Sequence, residues 1–266
     1  MRGRRASGIR AALTPLVFLI GCSGGEPQSE VAPEAVLLDR TFLVSDEELL
    51  LCGRFEVTWG EFGNAPQGTR GDLPATFMSR SEAMAWAASR GLRLPTREEW
   101  RGISRGNAGE ARATRGVNES NSLELGLGKT LPVGVFERGR TPGGGYDFQG
   151  NVWEWLAPSE GSDPETAHAV GGSYASRPSS GLPETWELNP QDRAEDLGFR
   201  YVMDAIPFLT DRILPVWLAG GEVNRQMLDQ AIGRWDSNQR ATVAGILAGS
   251  GTDSAFCAWL VGEGSG

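Results

Sequence analysis

Histidine and lysine are almost missing from these 266 residues: His168 and Lys129 each stand alone. One histidine excludes a multi-histidine transition-metal centre, and it leaves any Ser-His-Asp triad wholly dependent on His168. One lysine argues against Schiff-base chemistry and against a P-loop. Cysteine is scarce as well, with only Cys22, Cys52 and Cys257. In an oxidising compartment Cys52 and Cys257 have the option of pairing, but their apolar flanks equally suit two separate buried thiols. Basic charge is in deficit, 25 Lys and Arg against 34 Asp and Glu, for a net charge of −9. A basic patch is therefore not expected, and nucleic acid is not an expected partner. No internal repeat is visible.

The few arginines are unevenly placed. Arg2, Arg4, Arg5 and Arg10 precede an apolar run at residues 11–20, and no acidic residue occurs before Glu26. That run is too short for a stop-transfer helix. It closes on Leu19-Ile20-Gly21-Cys22, which resembles the lipobox of bacterial lipoproteins. The resemblance implies removal of residues 1–21, with palmitate-type acylation of Cys22 and tethering to a bacterial membrane. Cleavage would make the chain four units more negative. Two or three acyl chains make such an anchor effectively permanent. Ser23 after the anchor favours the periplasmic face of the outer membrane. Residues 22–35 are Gly, Ser, Pro and acidic residues in the main, the composition of a flexible tether.

What the chain has in abundance is tryptophan and glycine, nine and 37 residues respectively. The pair suggests a loop-rich body in which large rings lock irregular backbone in place. Residues 36–51 and 55–58 read as strands. Three Ser/Thr-x-x-Glu capping boxes follow, Thr58 with Glu61, Ser79 with Glu82 and Thr96 with Glu99, each opening a short helix. In the second helix Met84 or Ala85, Trp86 and Ala88 are expected to face inward. In the third, Trp100 and Ile103 are. Residues 105–130 read as irregular loop, and 131–136, 170–174 and 198–203 as short strands. After Asp204 apolar residues recur at helical spacing, Val223, Met227, Ala231 and Trp235, then Phe256, Trp259 and Leu260. The expected organisation is a domain over 36–204 and a helical extension over 205–266.

Several segments fall in a telling order. Phe55-Glu56-Val57-Thr58 precedes Leu92-Arg93-Leu94-Pro95-Thr96-Arg97-Glu98-Glu99-Trp100. Pro132-Val133-Gly134 leads to Gly145-Tyr146-Asp147-Phe148-Gln149-Gly150-Asn151-Val152-Trp153-Glu154-Trp155. Gly171-Gly172-Ser173-Tyr174 and Leu197-Gly198-Phe199-Arg200 close the series. Together they resemble the formylglycine-generating enzyme, or sulfatase-modifying factor, family. The resemblance implies an α+β fold of the C-type lectin-like kind. It also implies a calcium site with oxygens from Gln149, Gly150 and Val152 and the Glu154 carboxylate, a hard-cation donor set. On the residues alone, Glu154 and Asn151 equally suit hydrogen bonds within the turn. The family's other calcium site, expected between Asn118 and Leu127, is shortened and lacks the matching Asp.

One departure decides the functional expectation. Catalytic members follow the Gly-Gly-Ser-Tyr segment with two cysteines that bind copper(I). Here those positions are Ser176 and Gly181. Copper(I) requires soft thiolate ligands, so copper is not expected. The expectation is a non-catalytic binding or scaffold module whose partner is an envelope protein or glycan. Residues 175–196 would form the recognition loop, with Ser176, Arg177, Trp186 and Arg193 as contacts. The alternative is an oxidoreductase that converts a sulfatase cysteine to formylglycine. A third option makes the tail a docking helix pair.

Overall fold

The first element among the described residues is a helix at 33–39, where tether was expected to 35 and strand from 36. The computed structural model describes residues 30–45, 49–105, 119–177 and 185–263. Cys22, Gly181, Asn118 and most of the tether lie outside them. Val31–Gly266 is one compact unit. Helix α1 (Pro33–Asp39) opens with proline in its first turn, where a missing N–H costs no hydrogen bond. Ala35 and Leu38, three residues apart, supply its buried face. Strands begin only at β1 (Thr41–Ser45), antiparallel to β2 (Leu49–Gly53) with Phe42 opposite Cys52.

Residues 55–58 are not a strand. Val57 N–H does donate to Phe199 O at 2.9 Å, and Ala75 N–H to Val57 O at 2.8 Å. The pairing stops at a lone bridge between Thr58 and Pro74, because proline has no N–H to continue a ladder. All three capping boxes form. They open α2 (Trp59–Phe62), α3 (Arg80–Ala88) and α4 (Arg97–Arg105). In the third, Glu99 N–H donates to Thr96 Oγ1 at 3.2 Å and Thr96 N–H to Glu99 Oε2 at 2.8 Å. Trp100 and Ile103 are buried as expected. The inner face of α3 is rotated from the expected one: Ala83 and Ala87 are buried and Met84 is exposed. Trp86 lies half-buried at its edge, against Phe62 and Phe199.

A second sheet holds β3 (Trp153–Trp155), β4 (Ala167–Val170), β5 (Thr185–Leu188) and β6 (Leu197–Gly198) in the order β5-β4-β3-β6. Only β3 and β6 run parallel. β4 ends at Val170, short of the expected 174, because Gly171 and Gly172 take positive φ. The expected strand at 198–203 divides. Its start pairs with β3, while β7 (Val202–Asp204) pairs with β2 in the first sheet. Residues 199–201 cross between the sheets with all three side chains buried. Residues 131–136 form no strand: Val133 and Gly134 make a turn, with Leu131 N–H donating to Asn151 Oδ1, Gly134 N–H to Asp147 Oδ2 and Val133 N–H to Asp72 O.

After β7 come α5 (Ala205–Phe208), a π-helical turn (Leu209–Ile213), α6 (Leu214–Ala219), α7 (Glu222–Ile232), α8 (Ser237–Gly249) and α9 (Ser254–Val261). Phe256, Trp259 and Leu260 are buried as their spacing predicts, but Val223 is exposed and Leu228 and Ile232 point inward. Trp217, Phe256 and Trp259 cluster with ring centroids 5.3–6.0 Å apart. One continuous apolar core joins Leu38, Leu51 and Phe199 to Leu228, Leu247 and Phe256. Gln239 Nε2 of α8 donates to Leu43 O of β1 at 3.0 Å. Among the described residues no helix is long and apolar enough to cross a membrane.

Candidate functional site

The signature segments meet where β3 lies beside β6. Glu154, central in β3, and Arg200, just past β6, form an ion pair with side chains 1% and 0% exposed. Arg200 Nη2 lies 2.7 Å from Glu154 Oε1, and Nε lies 3.1 Å from Oε2. Arg200 also donates from Nη1 to Gly53 O at 2.9 Å and from Nη2 to Tyr146 O at 2.8 Å, and its guanidinium carbon sits 3.9 Å from the Phe148 ring centroid. Trp100 Nε1 donates to Glu154 Oε2 at 2.7 Å. Burial works against the Arg200 charge, but the Glu154 carboxylate outweighs it and holds the guanidinium above its ordinary range.

Beside this pair lies a second, differently charged group. Glu56 is fully buried, and its carboxylate accepts from Asn151 Nδ2 at 2.8 Å and from Val152 N–H at 3.3 Å. Burial, then the nearby charges of Asp147 and Glu154, push its pKa well above the ordinary 4.5. The folded chain therefore keeps this proton after the unfolded chain has released it. The contribution to stability is complete below pH 4.5 and falls as pH rises toward the raised folded value. Urea midpoints are expected to decline with rising pH through that window. Glu56→Gln should flatten the decline even though it lowers stability by setting an amide NH2 against the Asn151 donor. An unchanged slope would exclude Glu56 as its source.

Asn151 joins four segments. Its Oδ1 accepts from Asn121 Nδ2 and Leu131 N–H, its Nδ2 donates to Glu56, and its carbonyl accepts from Tyr174 N–H at 3.1 Å. It holds φ +59°, a left-handed conformation that asparagine tolerates better than most residues. Gly150, at φ +84°, lets the Asn121 carbonyl approach so closely that a Cβ would sit 2.2 Å from its oxygen.

These residues do not fit the calcium site that the resemblance implies. Both Glu154 oxygens are held by Arg200 and Trp100 donors, so a cation would have to displace a buried guanidinium. Gln149 is engaged as well. Among the described residues no group of three or more His, Cys, Asp or Glu is placed to hold a metal.

The position aligned with the first copper cysteine is a hydroxyl cluster. Ser176 Oγ accepts from Ser173 N–H at 3.1 Å and lies 3.3 Å from Ser173 Oγ, which donates to Asp196 Oδ2 at 2.6 Å. Ser176 O accepts from Leu123 N–H at 2.9 Å. Neither remaining cysteine is here. Cys52 is buried in β2, with burial pushing its thiol up to about 12, and Cys257 is buried in α9 with its thiol also raised by burial. Both are free. Of the other expected contacts, Trp186 packs on Trp153 with centroids 5.6 Å apart, and Arg193 pairs with Glu82 at 2.6 Å. Arg177 is exposed. His168 lies in β4 opposite Glu187, half-buried, its pKa lowered by burial and then by Arg97. A Gly-x-Ser-x-Gly string at residues 102–106 is no nucleophile elbow: Ser104 is inside α4, with its Oγ bonded back to Arg101 O.

Sequence reasoning missed Arg200 and Trp100 as the partners of Glu154, and Glu56 as the partner of Asn151. The available signal was the rule that a carboxylate amid buried aromatic residues needs a counter-charge, with Arg200 in the last of the quoted segments.

Residues 54–205 match the sulfatase-modifying factor enzyme 1-like domain. That is more than half of the chain, and the chain belongs to this family. Its fold is the α+β, lectin-like one of that family. A Bos taurus protein, inactive C-alpha-formylglycine-generating enzyme 2, is 28% identical over 150 residues, covering 48% of this chain and 50% of the relative. The formylglycine-generating enzyme of Thermomonospora curvata is 32% identical over 123 residues, covering 37% of this chain and 39% of the relative. The chain thus spans half or less of the length of these relatives. Among solved structures, that of CarF superposes with a TM-score of 0.47 at 23% identity, covering 59% of this chain and 86% of CarF.

Proposed function

We propose that this chain is a lipid-anchored, non-catalytic sulfatase-modifying-factor-type module of the bacterial envelope, which recognises an envelope protein or glycan. The observation that carries the reading is Ser176. Where the resemblance calls for a copper-binding cysteine there is a hydroxyl, already engaged with Ser173 and, through it, with Asp196. A serine oxygen is a poor substitute for thiolate toward copper(I), and the two buried thiols are raised away from the thiolate form. A relative named as inactive supports the same reading. Surface loops carried on a rigid frame suit recognition.

The test is direct. Purified protein incubated with copper(I), O2 and a cysteine-containing sulfatase peptide is expected to form no aldehyde by mass spectrometry. Turnover would overturn the reading and install the oxidoreductase alternative. The anchor is checked separately: Cys22→Ala is expected to move the protein from the membrane pellet to the soluble fraction and to abolish incorporation of a labelled fatty acid. A variant that stays in the pellet without label would remove lipid as the cause of attachment.

A further inference from the structure

The chain enters its folded body at one defined place. Ala32 N–H donates to Asn224 Oδ1 at 2.8 Å, which fixes the start of α1 against the first turn of α7. This same corner is apolar on its outside. Leu218, in the last turn of α6, is 60% exposed, the largest value for a big apolar residue among the described residues. Val223, next to Asn224, is also exposed. Gly220 and Gly221, both at positive φ, make the turn between them. Arg225, exposed on α7, holds its guanidinium carbon 4.7 Å from the centroid of the Trp217 ring.

We propose that the α6–α7 corner, through Leu218 and Val223, rests in the lipid surface to which the chain is tethered. This rests on the proposed acylation of Cys22. Eight residues lie between Cys22 and Val31, so nine Cα–Cα steps reach at most about 32 Å fully extended. A body of about 230 residues has a radius of gyration of about 17 Å, hence a diameter of about 45 Å. A tether shorter than the body it holds brings only the face around its own entry point to the membrane. Two aliphatic side chains are too few to bind a bilayer from solution, but tethering raises their effective concentration to the millimolar range. Arg225 is placed to meet headgroup phosphates, while Glu222 beside Val223 disfavours strongly anionic surfaces. The occupant best matched is therefore a lipid surface of low net charge.

The experiment uses the acylated full chain in phosphatidylcholine vesicles, with and without brominated acyl chains. Leu218→Cys and Phe77→Cys variants each carry an environment-sensitive fluorophore; Phe77 is 57% exposed, and its N–H donates to Ala194 O rather than to any residue of α1, α6 or α7. The label at 218 is expected to shift to the blue and to lose most of its emission in brominated vesicles, with the label at 77 unchanged. A label at 218 that stays water-like on protein that floats with the vesicles overturns the corner proposal and leaves anchoring intact. Protein that does not float overturns the anchoring itself and this inference with it.

Discussion

Glu154→Gln is expected to lower folding stability by about 3–5 kcal/mol, because it leaves the Arg200 guanidinium as an uncompensated charge in a dry interior. Arg200→Met should cost more. It strands the Glu154 carboxylate, and it also removes the donors to Gly53 O and Tyr146 O, each worth about 1–3 kcal/mol when a buried acceptor goes unmade. The pairing of Glu154→Leu with Arg200→Met then separates the two effects. Removing both charges restores what the ion pair itself costs when broken. The two carbonyls still lack their donors, so the double variant is expected to sit between the better single variant and the parent. Urea unfolding followed by tryptophan fluorescence reads all four proteins. If both single variants stay within about 1 kcal/mol of the parent, the range of a solvent-exposed pair, the pair is not sealed in the interior.

The same contacts explain how much of this protein is legible in its sequence. The capping boxes at Thr58, Ser79 and Thr96 all form because each needs only residues three apart and a backbone amide. The burial of Trp100, Ile103, Phe256 and Trp259 follows from helical spacing alone. Spacing is less reliable for which helix face turns inward, as Met84 and Val223 show, and it fails where a backbone group has a distant partner. Residues 131–136 alternate like a strand, yet the Leu131 and Gly134 amides turn toward Asn151 and Asp147. Residues 198–203 look continuous, but the two halves answer to different neighbours, β3 and β2. Pro33 was the overlooked sign of α1, since proline in a first turn marks a helix start as readily as a break.

The candidate site shows the same division. Its members were legible as words, in the Gly-Asn-Val-Trp-Glu-Trp and Leu-Gly-Phe-Arg segments, but not as partners. Glu56 lies 95 residues before Asn151, and Arg200 lies 46 after Glu154. No spacing rule spans such separations. The consequence for function is concrete: a carboxylate that the resemblance assigns to calcium serves as the counter-charge of an arginine. Taken with Ser176, this places Glu154, Arg200, Glu56 and Asn151 in the service of the frame.

Gly150→Ala is the variant expected to do the most damage for the fewest atoms. At φ +84° any side chain is strained, and a left-handed conformation alone costs about 1–2 kcal/mol for an L-residue. Here the added Cβ would also lie 2.2 Å from the Asn121 carbonyl oxygen and 2.9 Å from its carbon. That neighbour is backbone, and it cannot swing aside. Asn121 and Asn151 exchange hydrogen bonds across this contact, Asn151 N–H to Asn121 O at 2.7 Å and Asn121 Nδ2 to Asn151 Oδ1 at 3.0 Å. Pushing them apart unpicks the links to Glu56, Leu131 and Tyr174 together. A loss above about 4 kcal/mol is expected, beyond the usual range for a point substitution. Gly126→Ala is the control: φ is +73° and a Cβ would meet nothing within 4 Å, so only the conformational penalty applies. Thermal unfolding should show Gly126→Ala close to the parent and Gly150→Ala melting far below it or failing to accumulate. Equal, small shifts in the two variants would mean that residues 121 and 150 do not touch, and that the Asn151 junction is not what binds these loops.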